Sequence, residues 1–480
     1  AFPFDVPAGE SRSVWAQVQV PTGVTAGDYS GTVTVTWSGG SVDVPVTLTV
    51  WDFELPATAS LKSAFGFTYG AIPAGHGLPW GDEFTRLRQR YGAFALGRRV
   101  TLSQIDDGNA STSHFDTWYS GQMDGTATSA LAGAALTSVR LPGSADTWVP
   151  YFDSRGWLER LFQYTCDEPP ITCAWSDIPA RARVAKAASP NFRTLVTTTV
   201  QEASDNGVLS SIDILVPVVN YLDDKPGASR FSGQQRGAYD AFLASSPLKE
   251  LWTYQSCMSH GCGGTVNMGS PSSSDQYFTG WPTYVIDASA VRNRAMEWIS
   301  FLHRVSGELY YETTMAYGHD PWNDQWDFTG NGDGTLFYPG TPGRIGGTAD
   351  IPVASIRLKM IREGMEDYEY LKLLSDAGDP ALAQQIASQL FPHAYQTDAS
   401  PADLMAARDR IARRIVELTG GAMASPSSPG APGSTGSAGS VGMVAASVAG
   451  GQGGCHSGAG GLLALSGVIA TLLHRRRARR

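Results

Sequence analysis

The chain has 480 residues, 42% of them hydrophobic and 10% aromatic, enough to bury a large core and too many for one ordinary small domain. Net charge is -10 and the only dense basic run is the terminal 474–480, so no folded basic face advertises nucleic acid and none is expected as a partner. Charged residues are only 17% against 54 Gly, 13 Trp and 18 Tyr, a mixture that suits an exported sugar-handling protein.

Residues 12–50 alternate apolar and polar positions, as in Val14-Ala16-Val18-Val20, Val33-Val35-Trp37 and Val42-Val44-Val46-Leu48-Val50. Alternation with period two predicts antiparallel sheet of three or four strands. So few strands do not close a sandwich, so residues 1–51 read as the end of a larger β-sandwich. With no initiator Met and no signal peptide, the sequence is expected to begin inside a longer precursor.

From about residue 60 the texture changes to short apolar strands alternating with amphipathic helices, the pattern of a mostly parallel α/β fold. Strands are predicted near 61–69, 98–105, 136–141, 161–167, 193–199, 212–219, 249–255 and 308–314, a set that matches a TIM-like (β/α)8 barrel with insertions over 55–376. Helical connectors fall at 82–96, 178–188, 234–245 and 289–305. The stretch 355–374 places Ile361, Met365, Tyr368 and Leu371 on one face and Arg362, Glu366 and Glu369 on another, an amphipathic helix that closes the domain. Further helices occupy 377–419, including one at 401–418.

Residues 420–454 are Ser, Gly, Pro and Ala with almost no charge, which cannot bury enough apolar surface to fold and read as a disordered tether. The segment 455–480 then holds Cys455, an apolar run at 460–473 and an arginine cluster. The run is shorter than the roughly 20 residues of a relaxed membrane-spanning helix, but its basic flank has the polarity of a stop or sorting signal. The bland alternative is a tail without purpose.

Five cysteines fall as Cys166 with Cys173, Cys257 with Cys262, and Cys455 alone. Two short-loop disulfides fit an oxidising compartment, and free buried thiols are the alternative. The spacings are not CxxC and none of the eight histidines lies in an HExxH arrangement, so no metal and no cofactor are expected.

The segment Trp157 to Pro170 reads WLERLFQYTCDEPP, a strand that delivers two carboxylates just before two prolines. Successive strand side chains point to opposite faces, so Asp167 and Glu168 reach one pocket only where the strand ends. Pro169 and Pro170 supply that ending and are expected to hold Glu168 extended. Barrel active sites stand at such carboxyl-terminal strand ends. The alternative for the pair is a helix cap or a surface salt bridge.

The DEP motif, LWTYQSC at 251–257, GELYYET at 307–313, NGDGTLFYPG at 331–340 and SIRLKMIREGMEDYEYLKLL at 355–374 together resemble the catalytic domain of glycoside hydrolase family 123. The resemblance covers roughly residues 55–376 and implies a retaining N-acetylgalactosaminidase-like enzyme in which the substrate's acetamido oxygen attacks the anomeric carbon. Carried onto this chain, Glu168 is the general acid and then base, and Asp167 accepts the acetamido N–H. Tyr164, Trp252, Tyr254, Tyr310 and Tyr311 at strand ends, with Trp322 and Trp326 in the loop HDPWNDQWDFTGNGDG, are candidates for contact with the sugar or for packing. Asn331 to Gly334 resembles half a calcium loop but lacks the later ligands and reads as a tight turn. Arg294, Arg357 and Arg362 match arginines of the family, in a helical context that favours salt bridges.

The family usually has Trp and Asn where this chain has Tyr311 and Thr313. That departure raises a second scheme, Glu168 as acid and Glu312 as nucleophile, with carboxyls about 5–5.5 Å apart. A third is a non-catalytic carbohydrate-binding surface protein on the same fold. Separately, Cys455, the apolar run and the arginines resemble the myxobacterial C-terminal sorting tail. That resemblance implies processing near Cys455, a tail that engages membrane or sorting machinery, and a protein exported to the cell surface or secreted.

Overall fold

The computed structural model describes residues 4–105, 107–227, 235–261, 276–328 and 330–421. Cys262, Cys455, the tether and the apolar run 460–473 lie outside the described residues. The described chain forms two compact units, residues 4–54 with 412–421, and Leu55–Ile411.

In the first unit, strands β1 (Gly27–Trp37) and β2 (Gly40–Val50) form an antiparallel hairpin that pairs Gly27 with Val50 and Trp37 with Gly40. Thr34 donates to Asp43 at 2.7 Å and Thr49 to Asp28 at 2.6 Å across the ladder. The expected strand at 14–20 is absent: the stretch carries only isolated bridges at Trp15 and Val18, and Val14 and Val20 are exposed. Alternation supplies a face but not the run of pairing that makes a strand.

The second unit is a TIM-like barrel. Its sheet runs in the order β3 (Lys62–Phe65), β9 (Gly307–Tyr310), β8 (Glu250–Tyr254), β7 (Ile214–Leu215), β6 (Arg193–Val196), β5 (Leu161–Cys166) and β4 (Val139–Arg140), with every neighbour parallel. The predicted strand at 98–105 is the piece that closes the circle. Phe65 N–H donates to the Thr101 carbonyl at 3.0 Å, Ser103 N–H to that of Phe65 at 3.0 Å, and Arg140 N–H to that of Ser103 at 2.9 Å. Residues 101–103 thus sit between β3 and β4, paired too briefly to count as a full strand. The strands are buried on both faces, as parallel strands are, with apolar Phe65, Leu161, Leu195, Val196 and Leu251 beside buried polar Ser63, Thr194, Thr253 and Glu308. Two glycines permit the close approach: a Cβ on Gly307 would strike the Trp252 indole, and one on Gly66 the Tyr311 carbonyl.

Helices lie at Asp82–Leu96, Asp177–Ala188, Arg236–Ala244 and Ala290–Leu302, close to their predicted places. Ser289 caps the last of these through Arg292 N–H, and Ser355 caps Ile356–Asp376 through Leu358 N–H. These two helices pack closely at Gly364, where a side chain would meet Glu297. Arg294 grips Asp367 with two bonds of 2.6 and 2.8 Å, and Trp298 Nε1 adds a third at 2.8 Å. The expected polar stripe is therefore only partly solvated. Glu369 is buried and accepts from Ser60 N–H at 2.6 Å and its hydroxyl at 2.7 Å, because the chain entering β3 crosses that face. Arg362 pairs with Glu366 one turn away, and Arg357 donates to the carbonyls of Tyr284, Gly332 and Thr335, so all three arginines are structural.

Two small antiparallel pairs follow the barrel, β10 (Trp326–Asp327) with β11 (Gly330–Asn331) and β12 (Phe337–Gly340) with β13 (Ile351–Ala354). Helices Pro380–Leu390 and Pro401–Thr419 end the described chain.

Candidate active site

The carboxyl-terminal end of β5 breaks register against β6 between Tyr164 and Cys166, and such an irregularity re-aims the side chains that follow. Tyr164 thereby reaches forward: its hydroxyl donates to Asp167 Oδ1 at 2.6 Å. Thr197, just past β6, donates to the same oxygen at 2.8 Å, and its hydroxyl also accepts the Glu168 N–H at 2.7 Å. One threonine hydroxyl therefore fixes the side chain of one acid and the backbone of the next.

Glu168 is not extended. Its φ is 44°, a left-handed conformation rare for residues with a Cβ and found most often where surrounding contacts over-determine it. Proline restricts the residue before it away from the right-handed helical region. Here the bond to Thr197 and the Ile171 N–H donating to the Glu168 carbonyl at 2.8 Å select the left-handed well instead. From there Glu168 Oε1 accepts from Tyr254 of β8 at 2.6 Å, a bond that spans the barrel mouth, since β6 and β7 lie between. The loop behind the pair is closed by the Cys166–Cys173 disulfide, and Thr172 bonds to the Asp167 carbonyl. Cys257 is also disulfide-bonded.

Burial, and then the neighbouring carboxylate, holds the phenols of Tyr254 and Tyr164 well above their ordinary range. Both stay protonated and act as donors. Asp167 accepts two donors on Oδ1 and Glu168 one on Oε1, while Asp167 Oδ2 and Glu168 Oε2 accept from no donor among the described residues. The arrangement can hold one carboxylate as a fixed acceptor and leave the other an oxygen for proton exchange.

Tyr164 also lines a cavity with Gly66, Gln104, Arg140, Tyr310 and Tyr311, and the Arg140 guanidinium lies 5.2 Å from the Tyr164 ring centre. Tyr310 contributes only its body: its hydroxyl accepts from Gly334 N–H at 2.7 Å and donates to Asp333 at 3.3 Å. The Tyr311 hydroxyl and Asp333 Oδ2 are buried and make no hydrogen bond of normal length among the described residues, Oδ2 lying 3.7 Å from His260 Nε2, and burial pushes the Asp333 carboxyl up to about 6. Asn331 to Gly334 is a turn, with Gly332 and Gly334 at φ of 78° and 70°.

Four candidates lie elsewhere. Trp252 is 1% exposed, low in the barrel opposite Gly307, and donates to Glu250 at 2.8 Å, so it is core. Trp322 donates to the Pro339 carbonyl at 3.1 Å and lies against Tyr338. Glu312 accepts from the N–H and hydroxyl of Thr68, the N–H of Thr313, and the N–H and hydroxyl of Thr314. Five donors engage both oxygens, which counts against its reading as a nucleophile. Trp326 opens the β10–β11 pair and is 44% exposed. Sequence reasoning missed Thr197; nothing separates it there from Thr198 and Thr199.

Residues 274–374 match the glycoside hydrolase 123 catalytic domain. The protein is a glycoside hydrolase. A family 123 glycoside hydrolase from Clostridium perfringens, whose structure addresses glycolipid glycan hydrolysis, is similar in fold, with a TM-score of 0.55 at 15% identity over 83% of this chain and 77% of that one. A family 39 glycoside hydrolase from Bacteroides cellulosilyticus aligns with a TM-score of 0.32 at 10% identity over 65% and 67% of the two chains. A β-glucuronidase from Parabacteroides merdae aligns at 0.28 and 10% identity, over 74% and 42%. No curated protein matches. The matched stretch of the hydrolase holds Tyr311, Glu312, the 331–334 turn and helix Ile356–Asp376 as far as residue 374, and begins beyond the Asp167-Glu168 pair.

Proposed function

We propose that this hydrolase releases 2-acetamido sugars of the N-acetylgalactosamine type from glycans, with retention, the substrate's acetamido oxygen serving as nucleophile. The observation that carries the reading is the unequal bonding of the two adjacent carboxylates. Asp167, held on Oδ1 by Tyr164 and Thr197, keeps Oδ2 to accept the acetamido N–H and to offset the positive charge of the oxazoline-like intermediate. Glu168, positioned by Tyr254, gives its proton to the leaving oxygen as the bond to the anomeric carbon breaks. It then takes a proton from the water that opens the intermediate. Neither step needs a protein nucleophile, in keeping with the engagement of Glu312. The Cys166–Cys173 disulfide supports an exported enzyme working in an oxidising compartment.

Glu168→Gln tests the assignment. Hydrolysis of an aryl N-acetylgalactosaminide is expected to fall by about a thousandfold or more while the circular dichroism spectrum is unchanged. Full activity in that variant ends the acid assignment.

A further inference from the structure

β3 and β9 are neighbours in the barrel, and the chains leaving their carboxyl-terminal ends pack together, with Gly75 against the Tyr317 ring and the Thr68 hydroxyl on Glu312. These two loops expose large aromatic rings at the mouth: Tyr69 at 47%, Trp80 at 54% and Phe328 at 67%. None is loose. Trp80 rests on buried Phe84, ring centres 4.5 Å apart, with Tyr69 at 5.3 Å on its flank. Phe328 rests on Tyr311 at 5.4 Å and is held at a φ of 54°, a conformation a bulky residue rarely takes. Tyr311 in turn lines the cavity shared with Tyr164, whose hydroxyl holds Asp167. Phe328 is thereby linked through Tyr311 to the cavity beside the carboxylate pair, and Tyr69 and Trp80 stand on the neighbouring loop, tied in by the bonds of Thr68 to Glu312.

Rings braced from beneath and left open above present flat apolar faces at little ordering cost, the form that stacks on the C–H face of a pyranose. A net charge of -10 works against an anionic membrane surface as the occupant. We infer that Tyr69, Trp80 and Phe328 form a platform for the sugar chain beyond the scissile bond, so that the natural substrate is an oligosaccharide rather than a short glycoside. The inference rests on the pair as the reacting end and adds the class of leaving group.

The test compares Trp80→Ala and Phe328→Ala, both surface changes, on an aryl N-acetylgalactosaminide and on a tetrasaccharide ending in the same sugar. Each variant is expected to lose about tenfold in kcat/KM on the tetrasaccharide, mostly through KM, and to stay within about twofold on the aryl substrate. Equal losses on both substrates, or no loss on the tetrasaccharide, overturn the platform. Quenching of tryptophan fluorescence by the tetrasaccharide should weaken in Trp80→Ala. A response to phosphatidylcholine vesicles but not to the tetrasaccharide makes the surface lipid-facing and also overturns the inference. If the wild-type enzyme cleaves neither substrate, the acetamido reading has failed. The same comparison on an aryl glycoside it does cleave, and the matching tetrasaccharide, then decides the platform independently.

Discussion

Thr197→Val replaces a hydroxyl with a methyl of nearly the same size, so the end of β6 keeps its packing while two bonds disappear. One is the 2.8 Å donation to Asp167, the other the 2.7 Å acceptance of the Glu168 N–H. A bond to a charged group contributes about 1.5–3 kcal/mol, and an unmet buried N–H costs about 1–3 kcal/mol. Thr197 is 2% exposed, so water does not readily replace it. Tyr164 still restrains Asp167, but the left-handed Glu168 loses its backbone anchor. We expect about 2.7 kcal/mol of this to appear in the barrier, a hundredfold fall in kcat/KM on an aryl N-acetylgalactosaminide. The remainder appears as a few degrees of Tm. Thr197→Ser, which keeps the hydroxyl, should recover activity to within a few fold. Undiminished kcat/KM in the valine variant refutes the positioning role. A serine variant as poor as valine shifts the role to the methyl and its packing.

The barrel interior carries a pH dependence of its own. Burial pushes Glu308, which accepts from Tyr284, up to about 8, and Glu297 is raised by burial and by Glu308. The folded state holds this proton more tightly than the unfolded chain, whose value is 4.5, so the stability it contributes is full below 4.5 and lost as pH rises through about 8. Glu308→Gln should melt close to the wild type at pH 5 and several degrees above it at pH 8.5; parallel Tm curves count against the shift. Glu312→Ala should lower Tm, since the donors of Thr68, Thr313 and Thr314 lose their acceptor, and azide should not restore turnover. Recovery of a glycosyl azide product would return Glu312 to the role of nucleophile.

Much of the barrel is legible in the sequence because its signals are local. The helix at 82–96 and the strand at 161–167 show their periodicity in a dozen residues, and Asp167 and Glu168 stand at a strand end marked by two prolines. What depends on pairing is not legible. Residues 14–20 alternate as a strand should but carry only isolated bridges, whereas 101–103 pair on both sides yet too briefly to look regular. Trp252 and Tyr254 share one strand, and only the register against Gly307 sends the first into the core and leaves the second at the mouth. The left-handed turn of Glu168 depends on the Thr197 hydroxyl from a neighbouring strand. Glu312 looks reactive as a lone carboxylate at a strand end until five donors from three threonines are counted around it.

Inhibition by the thiazoline analogue of the oxazoline intermediate tests substrate assistance most directly, because the analogue resembles a state that exists only if the acetamido oxygen attacks. Competitive inhibition at least about a hundredfold tighter than KM is predicted for the wild-type enzyme, weakened in Asp167→Asn. An enzyme that turns over an aryl glycoside freely and ignores the thiazoline at millimolar concentration contradicts the account.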